Sequence, residues 1–346
     1  MPASTSRGGV RFWLLLLLVL AAAVAAAGVF AWRDFQRFAD APLAVAEVRS
    51  LDFTRGTPYK ELVRQLRREG ITRASPFYWR LLAREMGVSS RLQAGEYALK
   101  PGTTPRELLA TMAFGRVIQH SFTIVDGWTF RQLRLALGAE GGLEQTLPGL
   151  DDSTVAARLG IDGSPEGWFL PETYAWVKGE ADIDVLRRAH AATRATLDAL
   201  WPARDPGSPL ASPYEALILA SIIEKETGIA EERAEISGVF ARRLRLGMRL
   251  QTDPSVVYGL GETWDGNIRR RDLDTDTPYN TSTRAGLPPT PIALAGAKAI
   301  EAALHPAGGN ALYFVAVGDG SGRHVFSATL AEHNRAVAEY LRRIRR

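Results

Sequence analysis

The 346-residue chain contains no cysteine. Disulfide bonds, thiol catalysis, cysteine-ligated zinc and a lipid-modified cysteine anchor are therefore all excluded. Histidine is also scarce: the five histidines show no HExxH-type spacing, so the sequence predicts neither a metal site nor a cofactor.

Neither sign of charge dominates, because 42 Lys and Arg face 38 Asp and Glu, for a net charge of +4. The arginines are spread along the predicted helices instead of forming one basic run. On this ground alone, nucleic acid, an anionic polymer or a membrane surface remain open as partners. The length indicates about two domains beyond any targeting segment, and 46% hydrophobic residues suffice for their cores.

One long apolar run, Phe12–Trp32, contains no charged residue. At about 1.5 Å per residue it is long enough to cross a bilayer as a helix. A cleaved signal peptide is the alternative, because Ala25–Ala27 offers small-residue cleavage sites, but its apolar region would be shorter. We expect a cytoplasmic tail at 1–11, a transmembrane helix at 12–32, and everything after about residue 40 outside the cytoplasm. A nucleic-acid partner is then not expected.

Residues 45–115 predict a small α+β unit of the order strand, helix, helix, strand, with a further helix after it. Glycines at the predicted helix ends supply tight turns, and Thr104 is a candidate N-cap. The segment carries no paired acids, so binding or spacing is its expected role. Residues 116–346 predict a larger mixed α+β domain, which contains every candidate for chemistry.

The segment Glu166–Tyr174, EGWFLPETY, combines three aromatic residues with two acids and a proline. It is interpreted equally well as a packed core turn or as an aromatic platform for a sugar ring, which favours flat apolar faces with polar neighbours. On the second interpretation, Glu166 and Trp168 would bind substrate.

The most informative segment is a strongly apolar helix that ends in two carboxylates, Glu224 and Glu226. Ser212 predicts its N-cap, with Pro213 in the first turn, and Gly228 predicts a left-handed stop. A helix that is apolar almost all round is buried, so acids at its end are expected at the wall of a cleft. An ordinary polar helix end, with Lys225 pairing with an acid, is the simpler alternative.

Helical periodicity distinguishes the two acids. Glu226 shares its face with Leu219, Ile222 and Ile223, whereas Glu224 points roughly 200° away. A carboxyl beside aliphatic side chains loses hydration, so its pKa rises and it can hold a proton near neutral pH. That property is the one a general acid needs.

Two further segments contain candidate binding residues. Gln251, Thr252 and Asp253 precede a proline, and Asp253 is placed to cap the following helix, which would be a structural role. The segment Asp272–Leu294 has no periodicity, and a loop of this length in a compact domain is usually functional or disordered. Its Tyr279 and Asn280 could line a groove.

Several long motifs, in order, resemble the endolytic murein transglycosylase family (MltG, YceG-like). They are LQAGEYALKPG, EGWFLPETY, ASIIEKETG, RLRLGMRLQTDPSVVYG, TPYNTSTRAGLPPTPIALAG and the C-terminal LHPAG…LYFVAVGDG…HVFSATLAEHN. The resemblance extends over nearly the whole chain after residue 10. It implies one N-terminal membrane helix, a LysM-like module and a catalytic domain.

The resemblance also implies an activity and a site. Such enzymes cut the MurNAc–GlcNAc bond within peptidoglycan strands and leave a 1,6-anhydro-MurNAc end. The catalytic acid corresponds to Glu226, and Gln251, Asp253, Tyr279 and Asn280 match cleft motifs. The implied location is the inner membrane as a single-pass protein, with the catalytic domain in the periplasm and penicillin-binding proteins as a partner class.

Two alternatives stay open at this point. A muramidase would use Glu226 with Asp253 or Glu224 as a second carboxylate, because ordinary glycosidases need two. A non-catalytic wall-binding scaffold would act through residues 45–115 and cleave nothing.

Overall fold

A computed structural model describes residues 7–345, with side chains from residue 11 onward. Residues 1–6, and with them most of the expected cytoplasmic tail, lie outside the described part. The chain divides into two compact units, and the boundary along the chain falls between Gln119 and His120. The described elements mix helices with three antiparallel strand pairs, in agreement with an α+β protein.

The first unit contains six elements. In chain order they are α1 (Arg7–Asp40), β1 (Arg49–Phe53), α2 (Tyr59–Arg68), α3 (Pro76–Glu85), β2 (Gly95–Leu99) and α4 (Pro105–Ala113). β1 and β2 form an antiparallel pair in which Arg49 lies opposite Leu99. The order strand, helix, helix, strand is the one expected from sequence.

Local sequence determines where these helices begin. Ser75 caps α3 by accepting a hydrogen bond from the Phe77 amide, with Pro76 in the first turn. The predicted cap at Thr104 is confirmed, since its hydroxyl and the Glu107 carboxylate form a capping box on α4.

α1 is longer than the apolar run that predicted it. Residues 11–40 form one helix that is long and apolar enough to cross a membrane, judged by length and composition alone. The last two turns belong to the core of the first unit, where Phe35 and Ala39 are buried. The polar end of the helix is thus part of the folded module.

The second unit contains the remaining elements. They are β3 (His120–Thr123), α5 (Phe130–Gly138), α6 (Asp152–Leu159), β4 (Thr173–Trp176), α7 (Asp182–Leu200), α8 (Pro213–Glu226), α9 (Arg233–Arg245), α10 (Asp253–Leu260), α11 (Arg270–Asp274), α12 (Ala297–Leu304), β5 (Tyr313–Ala316), β6 (His324–Ser327) and α13 (Leu330–Ile344). β3 pairs with β4 and β5 pairs with β6, both antiparallel.

β4 is a strand that the sequence analysis missed. It falls at the end of the aromatic segment, which had been interpreted as a turn or a platform. Tyr174 lies opposite Phe122 in the pairing, and Phe169 just before the strand is fully buried. Most of the aromatic segment is therefore core, and Trp168 is the aromatic residue in it that lines a cleft.

α8 is the central helix of the second unit. Every residue from Ala216 to Ile223 is buried, and α12 packs along it. Ser221 joins the helix to the chain before α12, because its hydroxyl accepts a 3.0 Å hydrogen bond from the Ile292 amide. Such a buried helix holds the position of its final turn firmly.

The start of α8 is as predicted, but its end is not. Ser212 accepts a 3.2 Å hydrogen bond from the Glu215 amide. The left-handed stop predicted at Gly228 is wrong: Thr227 adopts an extended conformation at the helix end, and its hydroxyl accepts a 2.9 Å hydrogen bond from the Ile229 amide. A Ser/Thr turn of this kind ends the helix without a left-handed residue.

Candidate active site

The last turn of α8 leaves the core and directs its two acids to different surroundings. The Glu224 carboxylate accepts hydrogen bonds from the Gly296 amide at 3.0 Å and from the Arg233 guanidinium at 3.3 Å. Its side chain is only 5% exposed. Glu224 is therefore fully engaged in joining α8 to α9 and to the start of α12.

Glu226 is half-buried and makes no such ion pair among residues 7–345. The pKa of Glu226 is raised to about 7, mainly by burial and in part by the nearby Asp253 carboxylate. The Thr252 hydroxyl and the charges of His324 and Arg243 act in the opposite direction. The outcome is a carboxyl that exchanges its proton near neutral pH, which suits a group that first gives and then takes a proton.

The residues around Glu226 differ from those expected. The aliphatic side chains Leu219, Ile222 and Ile223 on the same helix face are packed into the core. The groups that influence the carboxyl come instead from the end of α9 and from the starts of α10 and β6. Burial is still the largest cause of the pKa shift, as predicted, but polar groups surround the carboxyl.

Thr252 supplies an unusual feature of this site. It is 1% exposed, and its hydroxyl makes no well-aligned hydrogen bond within the described part of the chain. It nevertheless lies close enough to Glu226 to favour the ionised carboxylate. A buried hydroxyl without a partner is costly, so this donor is suited to stabilise Glu226 once the proton has left.

The chain just before Thr252 is strained. Gln251 has a φ of 54°, and no other non-glycine residue in the described part has a positive φ. The Gln251 amide donates to the Thr281 carbonyl at 3.1 Å, and the Thr252 amide to the Thr281 hydroxyl at 3.0 Å. Arg243 donates to the Leu250 carbonyl at 2.7 Å. Backbone strain of about 1–3 kcal/mol persists where the surroundings hold it, and such residues cluster at active sites.

Asp253 begins α10 but does not cap it. The N-cap is Thr252, and neither side chain makes a capping hydrogen bond. The predicted capping role of Asp253 is therefore wrong. The residue is exposed, and partial desolvation of its carboxyl raises its pKa.

A second carboxylate holds the histidine that faces Glu226. Glu232 accepts a 3.0 Å hydrogen bond from the His324 amide, and its other oxygen lies 2.8 Å from His324 Nδ1. Because an ionised carboxylate can only accept, Nδ1 carries a proton, and Nε2 is left for other contacts. The imidazole also packs edge-on against Phe314, at 5.4 Å between ring centroids.

The two candidates in the long loop have different environments. Asn280 is 1% exposed, and its side-chain amide donates to the carbonyls of Asp272, Leu273 and Thr275. It therefore positions the loop, and we no longer expect it to touch substrate. Tyr279 is half-buried and lines a cleft, with its hydroxyl 2.9 Å from that of Thr290.

Glu166 is also an internal residue. It is 4% exposed, and its carboxylate accepts hydrogen bonds from the Phe130 amide at 3.0 Å and from the Tyr258 hydroxyl at 3.2 Å. Burial raises its pKa to about 7, against the effect of these hydrogen bonds. Its geometry is that of a residue that holds Tyr258 at the cleft wall, so direct binding of substrate is not what we now expect of it.

Two neighbouring clefts contain the aromatic candidates. One, of about 760 Å³, contains Tyr258, Tyr279 and Trp264 together with Lys225 and Pro254, the neighbours in sequence of Glu226 and Asp253. The other, of about 710 Å³, contains Trp168 stacked on Tyr214 at 5.7 Å. Flat aromatic faces with polar neighbours are suited to sugar rings.

Sequence reasoning did not find several of these residues. Arg243 and His324 lie inside the family-like motifs but were not singled out, and nothing in the local pattern shows that they and Thr252 surround one carboxyl. Glu232 gives no signal at all, because it resembles any acid at a helix start. The proximity of these side chains depends on how α8, α9, α10 and β6 pack.

Fold and site together define an α+β protein with a half-buried carboxyl of raised pKa near aromatic clefts. The chain belongs to the YceG-like family, whose model matches residues 51–339. A relative from Bacillus subtilis (strain 168), named endolytic murein transglycosylase, is 31% identical over 272 residues, which cover 73% of this chain and 74% of the relative.

More distant relatives agree with this assignment. A Streptococcus pneumoniae (serotype 2, strain D39) protein of the same name is 26% identical, and the match covers 72% of this chain but only 51% of that protein. A crystal structure of a YceG-like protein from Listeria monocytogenes superposes with a TM-score of 0.50 at 26% identity, covering 84% of this chain and 99% of that one.

Proposed function

We propose that this chain is an endolytic murein transglycosylase, a lyase that cuts within the glycan strands of peptidoglycan. The names of its relatives in Bacillus and Streptococcus support the activity. The observation in this chain that carries the proposal is the half-buried Glu226, whose pKa of about 7 lets it hold a proton at neutral pH.

The mechanism uses Glu226 twice. The protonated carboxyl donates to the oxygen that bridges MurNAc C1 and GlcNAc C4, and the bond from C1 to that oxygen breaks. The N-acetyl group of the same sugar stabilises the positive charge that develops at C1. The Glu226 carboxylate then removes the proton of the C6 hydroxyl, while the oxygen of that hydroxyl bonds to C1. Because this hydroxyl is tethered to the same ring, little entropy is lost in bringing it up.

The surroundings of Glu226 fit both steps. Asp253 favours the protonated form that starts the reaction, while the Thr252 hydroxyl, His324 and Arg243 favour the carboxylate that finishes it. For substrate binding, we assign contacts to Gln251 and Asp253, which flank the Thr252 hydroxyl near Glu226. We also assign a contact to Tyr279 in the first cleft and an aromatic sugar platform to Trp168 in the second. Asn280 and Glu166 position the loop and the cleft wall.

We further propose that α1 anchors the chain in the inner membrane as a single span, with the catalytic unit in the periplasm where peptidoglycan lies. The length and composition of α1 support an anchor. The strand, helix, helix, strand order of the first unit supports a LysM-like module. The family resemblance adds penicillin-binding proteins as a partner class, since a strand-cutting enzyme would work beside wall synthases.

Product analysis tests the chemistry. Purified full-length chain in detergent, incubated with peptidoglycan, should release fragments that end in 1,6-anhydro-MurNAc, identified by mass spectrometry. Ends that carry an added water would make the chain a muramidase. The nearby Asp253 favours that alternative as a second carboxylate. Binding of peptidoglycan with no cleavage would leave a scaffold role.

A further inference from the structure

The anchor helix and the first unit are one continuous structure. α1 runs without a break from the apolar run into the module, where Phe35 and Ala39 are buried. The run Phe12–Trp32 rises about 31 Å as a helix, close to the roughly 30 Å hydrocarbon core of a bilayer. The distance of a residue of the first unit from the membrane can therefore be derived from the number of α1 residues between Trp32 and the point where that residue contacts α1.

α3 lies beside the last turns of α1 with its N-terminus toward the apolar run. At this end Tyr78 donates a 2.6 Å hydrogen bond to Asp34, and its ring packs on Phe35 at 6.0 Å. At the other end Arg106 joins Glu85 to Asp40, at 3.5 and 2.9 Å. α1 and α3 therefore run side by side in the same direction for about 10 Å.

Phe77 lies at the N-terminal end of α3, the end nearer the apolar run of α1, and is 58% exposed. Its neighbour Tyr78 reaches Asp34, which is two residues beyond Trp32. Side chains on a helix lean toward its N-terminus, so the Phe77 ring leans toward the apolar run. Its height above the hydrocarbon is a few ångströms, whereas the headgroup layer is about 5–7 Å thick. With α1 spanning the membrane along Phe12–Trp32, we therefore expect the ring within that layer.

The charged residues near Asp34 and the N-terminal end of α3 are mainly basic. Arg33 and Arg37 are exposed and form no ion pair within residues 7–345. Arg80 folds back along α3, where its Nε donates to the Pro76 carbonyl at 3.4 Å, so its guanidinium lies toward the same end. The acid at this level, Asp34, is engaged by Tyr78. Basic residues beside a membrane are attracted to anionic lipids.

We propose that the N-terminal end of α3, through Phe77 and Arg80, docks on the anionic headgroup layer of the membrane that α1 spans. This inference rests on the proposed anchor and is independent of the cleavage chemistry. A ring in the interface and a guanidinium among phosphates would hold the module at a fixed angle to the membrane, as interfacial aromatic residues and arginines do elsewhere.

The absence of cysteine makes the test direct. Single cysteines are introduced in the full-length chain and spin-labelled, and the protein is reconstituted in vesicles that contain anionic lipid. Electron paramagnetic resonance then gives the depth of each label from its collisions with oxygen and with a water-soluble nickel complex. Labels at positions 20, 29 and 33 calibrate depth along α1. The test label replaces Phe77, so that the apolar ring of the label stands in for the phenyl ring and Arg80 is kept.

Arg84 gives a matched control, because it is exposed on nearly the same face of α3, seven residues further on. We expect the label at 77 to lie in the headgroup layer, near the depth found at 33, and the label at 84 to lie about 10 Å further out in water. In vesicles without anionic lipid the angle of the first unit to the membrane should no longer be fixed, so α1 and the first unit should tilt together and the label at 77 should move outward.

Each contrary result has a separate meaning. A label at 77 that is as accessible to nickel as the label at 84 overturns the docking surface, provided that the label at 20 lies in the hydrocarbon. A label at 20 that lies in water overturns the anchor itself. A depth at 77 that does not change with lipid charge removes the electrostatic part of the proposal.

Discussion

The His324 ring and backbone are both bonded to the carboxylate of Glu232, at 2.8 Å and 3.0 Å. The same imidazole, when positively charged, lowers the pKa of Glu226. Glu232 thus acts on the proposed acid through His324, although it is not among the groups that shift the pKa of Glu226 directly.

The first prediction concerns the pH dependence of cleavage. Cleavage needs protonated Glu226, so activity should fall as pH rises through about 7. His324→Gln removes a charge that favours the carboxylate, so the pKa of Glu226 should rise and activity should persist to higher pH. The measurement is kcat/KM between pH 5 and 9.

Glu232→Gln should alter the same profile, because it replaces the carboxylate that holds the His324 ring and backbone in place. Glu231→Gln is the matched control. The substitution removes the same charge as Glu232→Gln, but Glu231 is exposed and has no contact with His324. If His324→Gln and Glu232→Gln both follow the pH profile of the parent protein, as the control should, His324 has no influence on the proton of Glu226.

The second prediction separates the two acids of α8. Glu226→Gln removes the proton donor and should reduce kcat by about 10²–10⁴-fold, the usual contribution of general acid–base catalysis. Glu224→Gln keeps an oxygen that can accept from the Gly296 amide and loses only the pair with Arg233, so most activity should remain. Release of soluble fragments gives the rates, and equal losses in both variants would contradict the assignment.

The third prediction is that Glu226→Gln stabilises the protein at high pH. The folded pKa of about 7 lies above the ordinary value of 4.5, so the protonated form favours folding. This contribution is fully present below pH 4.5 and is lost as pH rises through 7. The variant cannot ionise at this position, so its free energy of unfolding should equal that of the parent near pH 4. Above pH 8 it should exceed that of the parent by about 1–2 kcal/mol, after allowance for partial exposure of the side chain.

Thermal unfolding in detergent from pH 4 to 9 measures this difference. A constant difference between variant and parent across the range would show that Glu226 titrates normally in the folded protein, which would also remove its qualification as a general acid.

The fourth prediction uses the strained backbone at Gln251. Both Gln251→Gly and Gln251→Ala remove the side-chain amide, so both should raise KM if it binds substrate. Only glycine relieves the positive φ, since other residues lose about 1–2 kcal/mol in this region. The glycine variant should therefore be more stable than the alanine variant by about 1 kcal/mol. Unchanged KM in both variants would exclude Gln251 from substrate binding.

Local signals in the sequence predicted a substantial part of this structure. Ser212 and Pro213 located the start of α8, and the 3.6-residue period distinguished Glu226 from Glu224. What failed was information about packing. Gly228 looked like a left-handed stop, but Thr227 ends the helix first. Asn280 looked like a groove residue because a sequence cannot show that its amide is already bound to loop carbonyls. The partners of Glu226 come from distant segments and become neighbours only on folding.

The fifth prediction follows from the burial of α1 residues in the module. Phe35 is 2% exposed and packs against Tyr78 and Phe38, whereas Phe30 on the same helix is 70% exposed. Phe35→Ala should destabilise the first unit by about 3–5 kcal/mol, the usual cost of deleting a buried aromatic ring, and Phe30→Ala should not. Amide hydrogen exchange of α2 and α3 in detergent would report this difference.

The same burial determines which truncated chain will keep a folded module. A chain that begins at residue 41 lacks Phe35, Phe38 and Ala39, so its first unit should exchange amide hydrogens rapidly. A chain that begins at residue 33 keeps these residues and the Asp34 contact to Tyr78, and should retain protection. If both truncated chains are equally protected, the end of α1 does not stabilise the module, and the rigid link between the membrane span and the first unit would have to be abandoned.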